Sequence, residues 1–302
     1  MAFLLKLETR IKENNSLLCV GLDPDIDRIP RHLMKQKDPL FEFNRQLVEA
    51  THDLVAAYKP QIAHYEKLGP RGLENLEKTA NFVRKKYPEI PLILDAKRGD
   101  IGTTAEEYAK AVFDYYKFDA VTVNPYLGHD GLEPFFRRTD KGVIILCRTS
   151  NPGAKDFQDL EVYSSSEEQS DESRSNNTAM KQLRNNSSPQ GRTIPLYMKV
   201  AEKIVAWNKL YGNCLMVVGA TYPDEMKKIR EIASDMFFLV PGIGAQGGDL
   251  EKMLAAGLRS DRSGLLIHSS RAIMYASDGP DFAEKARGEA MKLRDQINTH
   301  RT

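Results

Sequence analysis

The segment LDAKRGD, residues 94–100, sets Asp95, Lys97 and Asp100 immediately after the apolar run PLIL. Most clusters of charge are solvated surface. This one abuts a run that reads as a buried strand, where ionised groups carry a heavy desolvation penalty unless they pair. Alternate side chains of a strand share a face, so Asp95 and Lys97 are expected to point the same way. Paired inward-facing charges of this kind mark a candidate reaction site. Lys59 closes another apolar run, VAAYK. On a neighbouring strand it would complete a cation–anion–cation row; the alternative is a solvated lysine at a strand end. Asp23 in GLDPD belongs to the same rim or merely starts an Asp-Pro turn.

A second signal concerns anion binding. PGIGAQGGD (241–249) and HSSRAI (268–273) each follow an apolar run. Glycines let a backbone approach an anion, and N–H groups at a helix start bind phosphate. Arg271 offers a charge-assisted fork to phosphate oxygens. Glycines can also serve turns alone, but with the arginine they point to a phosphate monoester. In CRTSNPGA (147–154), Ser150 and Asn151 would either hydrogen-bond a polar ring or shape the turn before Pro152.

These residues need a frame that brings strand ends together. Eight short apolar runs, near 17–22, 55–59, 92–97, 120–124, 143–148, 214–218, 237–240 and 265–269, alternate with stretches of helical period such as 72–86, 104–116 and 281–298. Continuous hydrophobicity suits parallel strands covered by helices. After the fifth run, Pro195 suits a first helical turn, and Leu196, Val200, Ile204 and Trp207 follow at helical spacing. Strict alternation means α/β. Eight units, with no GxGxxG after the first, favour a closed (β/α)8 TIM barrel over an open dinucleotide fold. Its catalytic face is then the C-terminal rim of the strands, where the residues above fall.

A barrel typically needs ~250 residues, and this chain has 302. The excess lies at about 163–192, a Ser-, Asn- and Glu-rich stretch almost without apolar residues. It cannot bury enough surface to offset its ordering entropy. We expect one barrel domain over 1–302 with a flexible insertion there, either a tolerated surface loop or a lid or regulatory segment. Formal net charge is +1, which suggests neither a nucleic-acid nor a membrane partner. Cys19, Cys147 and Cys214 sit in apolar runs without CxxC spacing, and the six histidines form no HxH or HExxH pair. No metal site is expected. The N-terminal apolar patch is too short and too charged for a signal peptide, so the expected location is cytoplasmic.

The D-x-K-x-x-D of Asp95, Lys97 and Asp100, with GLDPD before it and PGIGAQGGD and SSRAI after it, resembles the orotidine 5′-phosphate decarboxylases, in particular their longer bacterial branch. The likeness runs over about 4–272, with only the polar insertion outside it. It implies conversion of orotidine 5′-monophosphate to uridine 5′-monophosphate and CO2, a step of pyrimidine biosynthesis, without a cofactor. It also implies roles: Lys97 as proton donor to C6 of the pyrimidine, Asp95 against the substrate carboxylate, and Lys59 holding Asp95 and a ribose hydroxyl. Asp23 would bind the ribose, Ser150 the pyrimidine, and Gln246 and Arg271 the phosphate. Asp100 and Thr104 would reach into the partner's site of a homodimer. Two departures stand out: Gln61, where relatives often carry Asn, and His268, where a smaller polar residue is common. Related barrels acting on sugar phosphates share D-x-K-x-x-D but use Mg2+ and an early glutamate, for which no matching constellation is seen. A non-catalytic nucleotide-binding barrel is the other rival, and an intact Lys97 argues against it.

Overall fold

The computed structural model describes residues 2–164, 193–243 and 249–301. Its strands are β1 (Leu18–Gly21), β2 (Ala57–Lys59), β3 (Ile93–Arg98), β4 (Ala120–Val123), β5 (Gly142–Arg148), β6 (Glu161–Tyr163), β7 (Thr193–Pro195), β8 (Cys214–Val218), β9 (Phe238–Val240) and β10 (Leu265–Ser269). Eight of them pair in parallel in the order β2-β1-β10-β9-β8-β5-β4-β3. Parallel bridges Tyr58↔Leu92 and Gln61↔Asp95 then join β2 to β3. The sheet is therefore closed, a (β/α)8 barrel, and each predicted strand is present with its ends moved by at most two residues.

The reason is visible in burial. All five residues of β8 and all four of β1 and of β4 are buried, because one face packs inside the barrel and the other beneath helices. Those helices present stripes at helical spacing, for example Leu76, Ala80 and Val83 in Gly69–Lys86. Among the described residues no helix is long and apolar enough to cross a membrane.

Two local expectations change, and one element is additional. The N-terminal patch is a helix, Phe3–Glu13, burying Phe3, Leu7 and Ile11. It closes the barrel floor: Phe3 N–H donates to Asp140 O at 2.9 Å, and Lys6 pairs with Asp119 at 2.8 Å. Gly142 at the start of β5 makes room, since a Cβ there would lie 2.3 Å from the Phe3 ring. The predicted helix 104–116 is Gly102–Lys110 followed by a wider turn, Ala111–Tyr115, in which Tyr116 N–H reaches back five residues to Ala111 O. The wider turn directs both Val112 and Phe113 into the core.

Pro195 does not open the following helix. It closes β7 in extended conformation, and the helix runs Leu196–Tyr211. The cause is a small antiparallel ladder, in which Glu161, Val162 and Tyr163 pair with Pro195, Ile194 and Thr193. This ladder brackets the polar stretch, and residues 165–192 lie outside the described residues.

Candidate active site

The C-terminal rim carries the charged row. Lys59 is the last residue of β2, Asp95 and Lys97 stand on β3, and Thr122 is on β4. Lys59 Nζ lies 2.8 Å from Asp95 Oδ2, and Lys97 Nζ lies 2.6 Å from Asp95 Oδ1. Thr122 Oγ1 also donates to Asp95 Oδ1, at 2.8 Å. Both oxygens of the carboxylate are thus engaged. Burial alone would raise the Asp95 pKa, but the two ammonium groups outweigh it and hold the carboxyl far below its usual range. Burial alone would lower the Lys59 pKa, and Asp95 and Asp23 overcome this and hold it above the ordinary lysine value. Lys59 is 3% exposed and Lys97 47%. One ammonium is a buried strut. The other faces the open cavity.

Lys97 reaches this place by an irregular backbone. The β3–β4 register shifts between Leu94 and Arg98, and Lys97 has φ +47°, a left-handed conformation that costs a non-glycine residue about 1–2 kcal/mol. Its N–H is held by Thr122 Oγ1 at 3.0 Å. Asp95 and Lys97 do share a face, but through this bulge and not through regular pleating. Strain at a residue aimed into a cavity is a mark of functional sites.

Asp23 proves to be a cross-link. Its Oδ1 accepts Gln61 N–H at 2.7 Å, and its Oδ2 accepts Ser270 Oγ at 2.8 Å. It ties together the rims of β1, β2 and β10. The Gln61 side chain turns into the next segment, where Oε1 accepts Ala63 N–H at 2.9 Å. His268 Nδ1 lies 3.3 Å from Cys19 O; the carbonyl can only accept, so Nδ1 carries the hydrogen. Burial, with Lys59 nearby, pushes the His268 pKa down to about 3, so the ring is neutral near pH 7.

These groups surround a cavity of about 520 Å³, whose lining also includes Ser150, Asn151 and Phe157. Its lining combines the ion pairs with the apolar side chains Leu146, Val217 and Leu239. That suits a flat ring with one charged edge. Of the residues singled out in the sequence, Asp23, Lys59, Asp95, Lys97 and Ser150 converge here. Asp100, Thr104 and Arg271 are not part of the lining. Asp100 Oδ1 accepts Ile101 N–H at 2.8 Å, and Arg271 opens a short helix, Arg271–Met274, after β10. Gln246 and its glycines, 244–248, lie outside the described residues. Sequence reasoning missed Thr122, Ser270 and Gln158. Thr122 had a legible signal, as the polar residue in AVTV.

The Orotidine 5′-phosphate decarboxylase / HUMPS family model matches residues 16–286. The chain belongs to this family. An orotidine 5′-phosphate decarboxylase of Cellvibrio japonicus is 48% identical, with the whole of both chains covered. Among solved structures, Leishmania donovani OMP decarboxylase is 38% identical with a TM-score of 0.79, covering 100% of this chain and 99% of that one. The structure of a putative orotidine-monophosphate-decarboxylase from Toxoplasma gondii is 33% identical with a TM-score of 0.83, covering 99% of this chain and 96% of that one. The family's match spans all eight barrel strands, and the charged row on β2 and β3 lies within it.

Proposed function

We propose that this chain decarboxylates orotidine 5′-monophosphate to uridine 5′-monophosphate and CO2, a cytoplasmic step of pyrimidine biosynthesis. The reading is carried by the Lys59–Asp95–Lys97 row in the cavity lining, in a chain whose full-length relatives are named for this reaction. In the proposed step the bond from pyrimidine C6 to the carboxylate breaks and CO2 departs with no net charge. The electron pair stays on C6. Lys97 Nζ stabilises that carbanion and gives it a proton, and solvent then reprotonates Lys97. Asp95, kept ionised by its two lysines, faces the substrate carboxylate and repels it. No cofactor takes part, since a fixed ammonium supplies both the electrostatic stabilisation and the proton. The sugar-phosphate rival uses Mg2+ and an early glutamate, and strict Mg2+ dependence of turnover would favour it. Turnover of orotidine 5′-monophosphate, followed by product formation, tests the reading.

Asp23 and Lys59 are proposed to bind the ribose, Ser150 the pyrimidine, and Gln246 and Arg271 the phosphate. Arg271→Ala should weaken uridine 5′-monophosphate binding about 10- to 100-fold, the value of one or two charge-assisted hydrogen bonds, and leave uridine unaffected. Titrating both ligands into both proteins checks this; wild-type protein that binds nucleoside and monophosphate equally would refute the phosphate site.

We further propose a homodimer in which Asp100 and Thr104 complete the partner's site. Supporting this, Asp100 stays out of its own barrel's cavity, and Ile101, Tyr126 and Leu127 expose apolar side chains on the adjacent rim loops. The whole chain is taken as one barrel domain, with 163–192 as an insertion after β5.

A further inference from the structure

The turn after β5 is wired in one direction. Thr149, Ser150 and Asn151 line the cavity, and so does Gln158. Thr149 N–H donates to Gln158 Oε1 at 2.9 Å. That bond fixes the amide's orientation, because a backbone N–H cannot accept. Gln158 Nε2 must then donate to Thr149 Oγ1, at 2.8 Å, and the Thr149 hydroxyl passes its own hydrogen to Asn151 Oδ1 at 2.7 Å. With Asn151 Oδ1 occupied as an acceptor, its amide nitrogen is the end left to act as a donor.

Gln158 is itself anchored from behind. Arg148, the last residue of β5, has no exposed surface, and its Nη1 lies 3.4 Å from Gln158 Oε1 and 3.0 Å from Asp159 Oδ1. Its guanidinium carbon stands 4.0 Å over the Tyr222 ring. A buried cation facing Gln158 favours the oxygen on that side, so it reinforces the same amide orientation. From the other side Ser150 rests on Gly219, where a Cβ would come within 2.8–2.9 Å of it.

We propose that Gln158, oriented by Arg148, is a positioning residue that sets base specificity. It fixes the hydrogen-bond polarity of the Thr149–Asn151 turn so that Asn151 offers a donor to a ring carbonyl. A pyrimidine-dione edge, rich in acceptors, is the chemistry this polarity fits. The inference rests on the functional reading above and names how that site recognises the base.

The test measures affinity for uridine 5′-monophosphate and for ribose 5-phosphate, whose ratio reports the base alone. Gln158→Met removes the wiring with little change in volume. Gln158→Glu keeps the acceptor facing Arg148 and Thr149 N–H but cannot donate, so the Thr149 hydroxyl turns away from Asn151. The added charge acts on both ligands and cancels in the ratio. In both variants the ratio should fall by about tenfold, the scale of one lost or misdirected hydrogen bond. A ratio within twofold of wild type in either variant would overturn the proposal, whatever happens to thermal stability. Wild-type turnover of orotidine 5′-monophosphate, scored in the same preparation, separates failure of this inference from failure of the reading beneath it.

Discussion

Replacing Lys97 by Ala is expected to abolish decarboxylation and leave a folded barrel. The side chain is about half exposed and its ammonium bonds only to Asp95 among the contacts described, so little packing is lost. Asp95 keeps Lys59 and Thr122 as partners. Chemistry loses both the charge that stabilises the carbanion and the proton that quenches it. Each role is typically worth 10²-fold or more in rate, so kcat should fall by at least about 10⁴-fold, with kcat/KM falling alongside it. Lys97→Arg should rescue poorly, because a guanidinium keeps the charge but releases its proton too reluctantly. Single-turnover measurement at saturating substrate checks this, with circular dichroism confirming the fold. Near-normal turnover in Lys97→Ala would remove the assigned proton donor.

Asp95→Asn should damage activity and stability together. It leaves the 3%-exposed Lys59 ammonium without the carboxylate that holds its charge in place. Breaking one partner of a buried pair costs about 3–5 kcal/mol, a large share of a typical domain's stability. The pH dependence gives the sign. The folded-state pKa of Asp95 lies below its ordinary value, so its contribution is fully present above the unfolded carboxylate range and is lost as pH falls beneath it. Wild type and variant should therefore differ most above about pH 5 and converge on acidification below about pH 4. Urea unfolding across that range reads the difference directly. A gap that stayed constant down to low pH would mean that the ionised carboxylate is not what stabilises the site.

The barrel was legible because most of its strands are buried on both faces and so read as continuous apolar runs, as in VIILCR and CLMVV. Asp95 and Lys97 were legible as a pair for a partly different reason from the real one. Alternation predicts a shared face, whereas the structure achieves it through a register shift and a left-handed Lys97. No residue pattern announces that conformation. Phe3, Leu7 and Ile11 have helical spacing, but the charges between them make the segment look like no more than a short apolar patch. Pro195 suits a helix start in the sequence, because the short ladder that claims it pairs residues about 30 positions apart. Gln158 was invisible for a related reason: its role comes from Arg148 and Thr149, which meet it across an irregular turn with no periodicity.

The side chains of this barrel are proposed to perform the decarboxylation themselves. The most direct test is an absorbance assay of orotidine 5′-monophosphate with protein stripped of divalent metal and held in EDTA, with CO2 release measured in parallel. Expected are loss of the orotate chromophore, one CO2 per nucleotide consumed, and a rate unchanged when Mg2+ is restored. No turnover, or turnover that appears only with Mg2+, would contradict it.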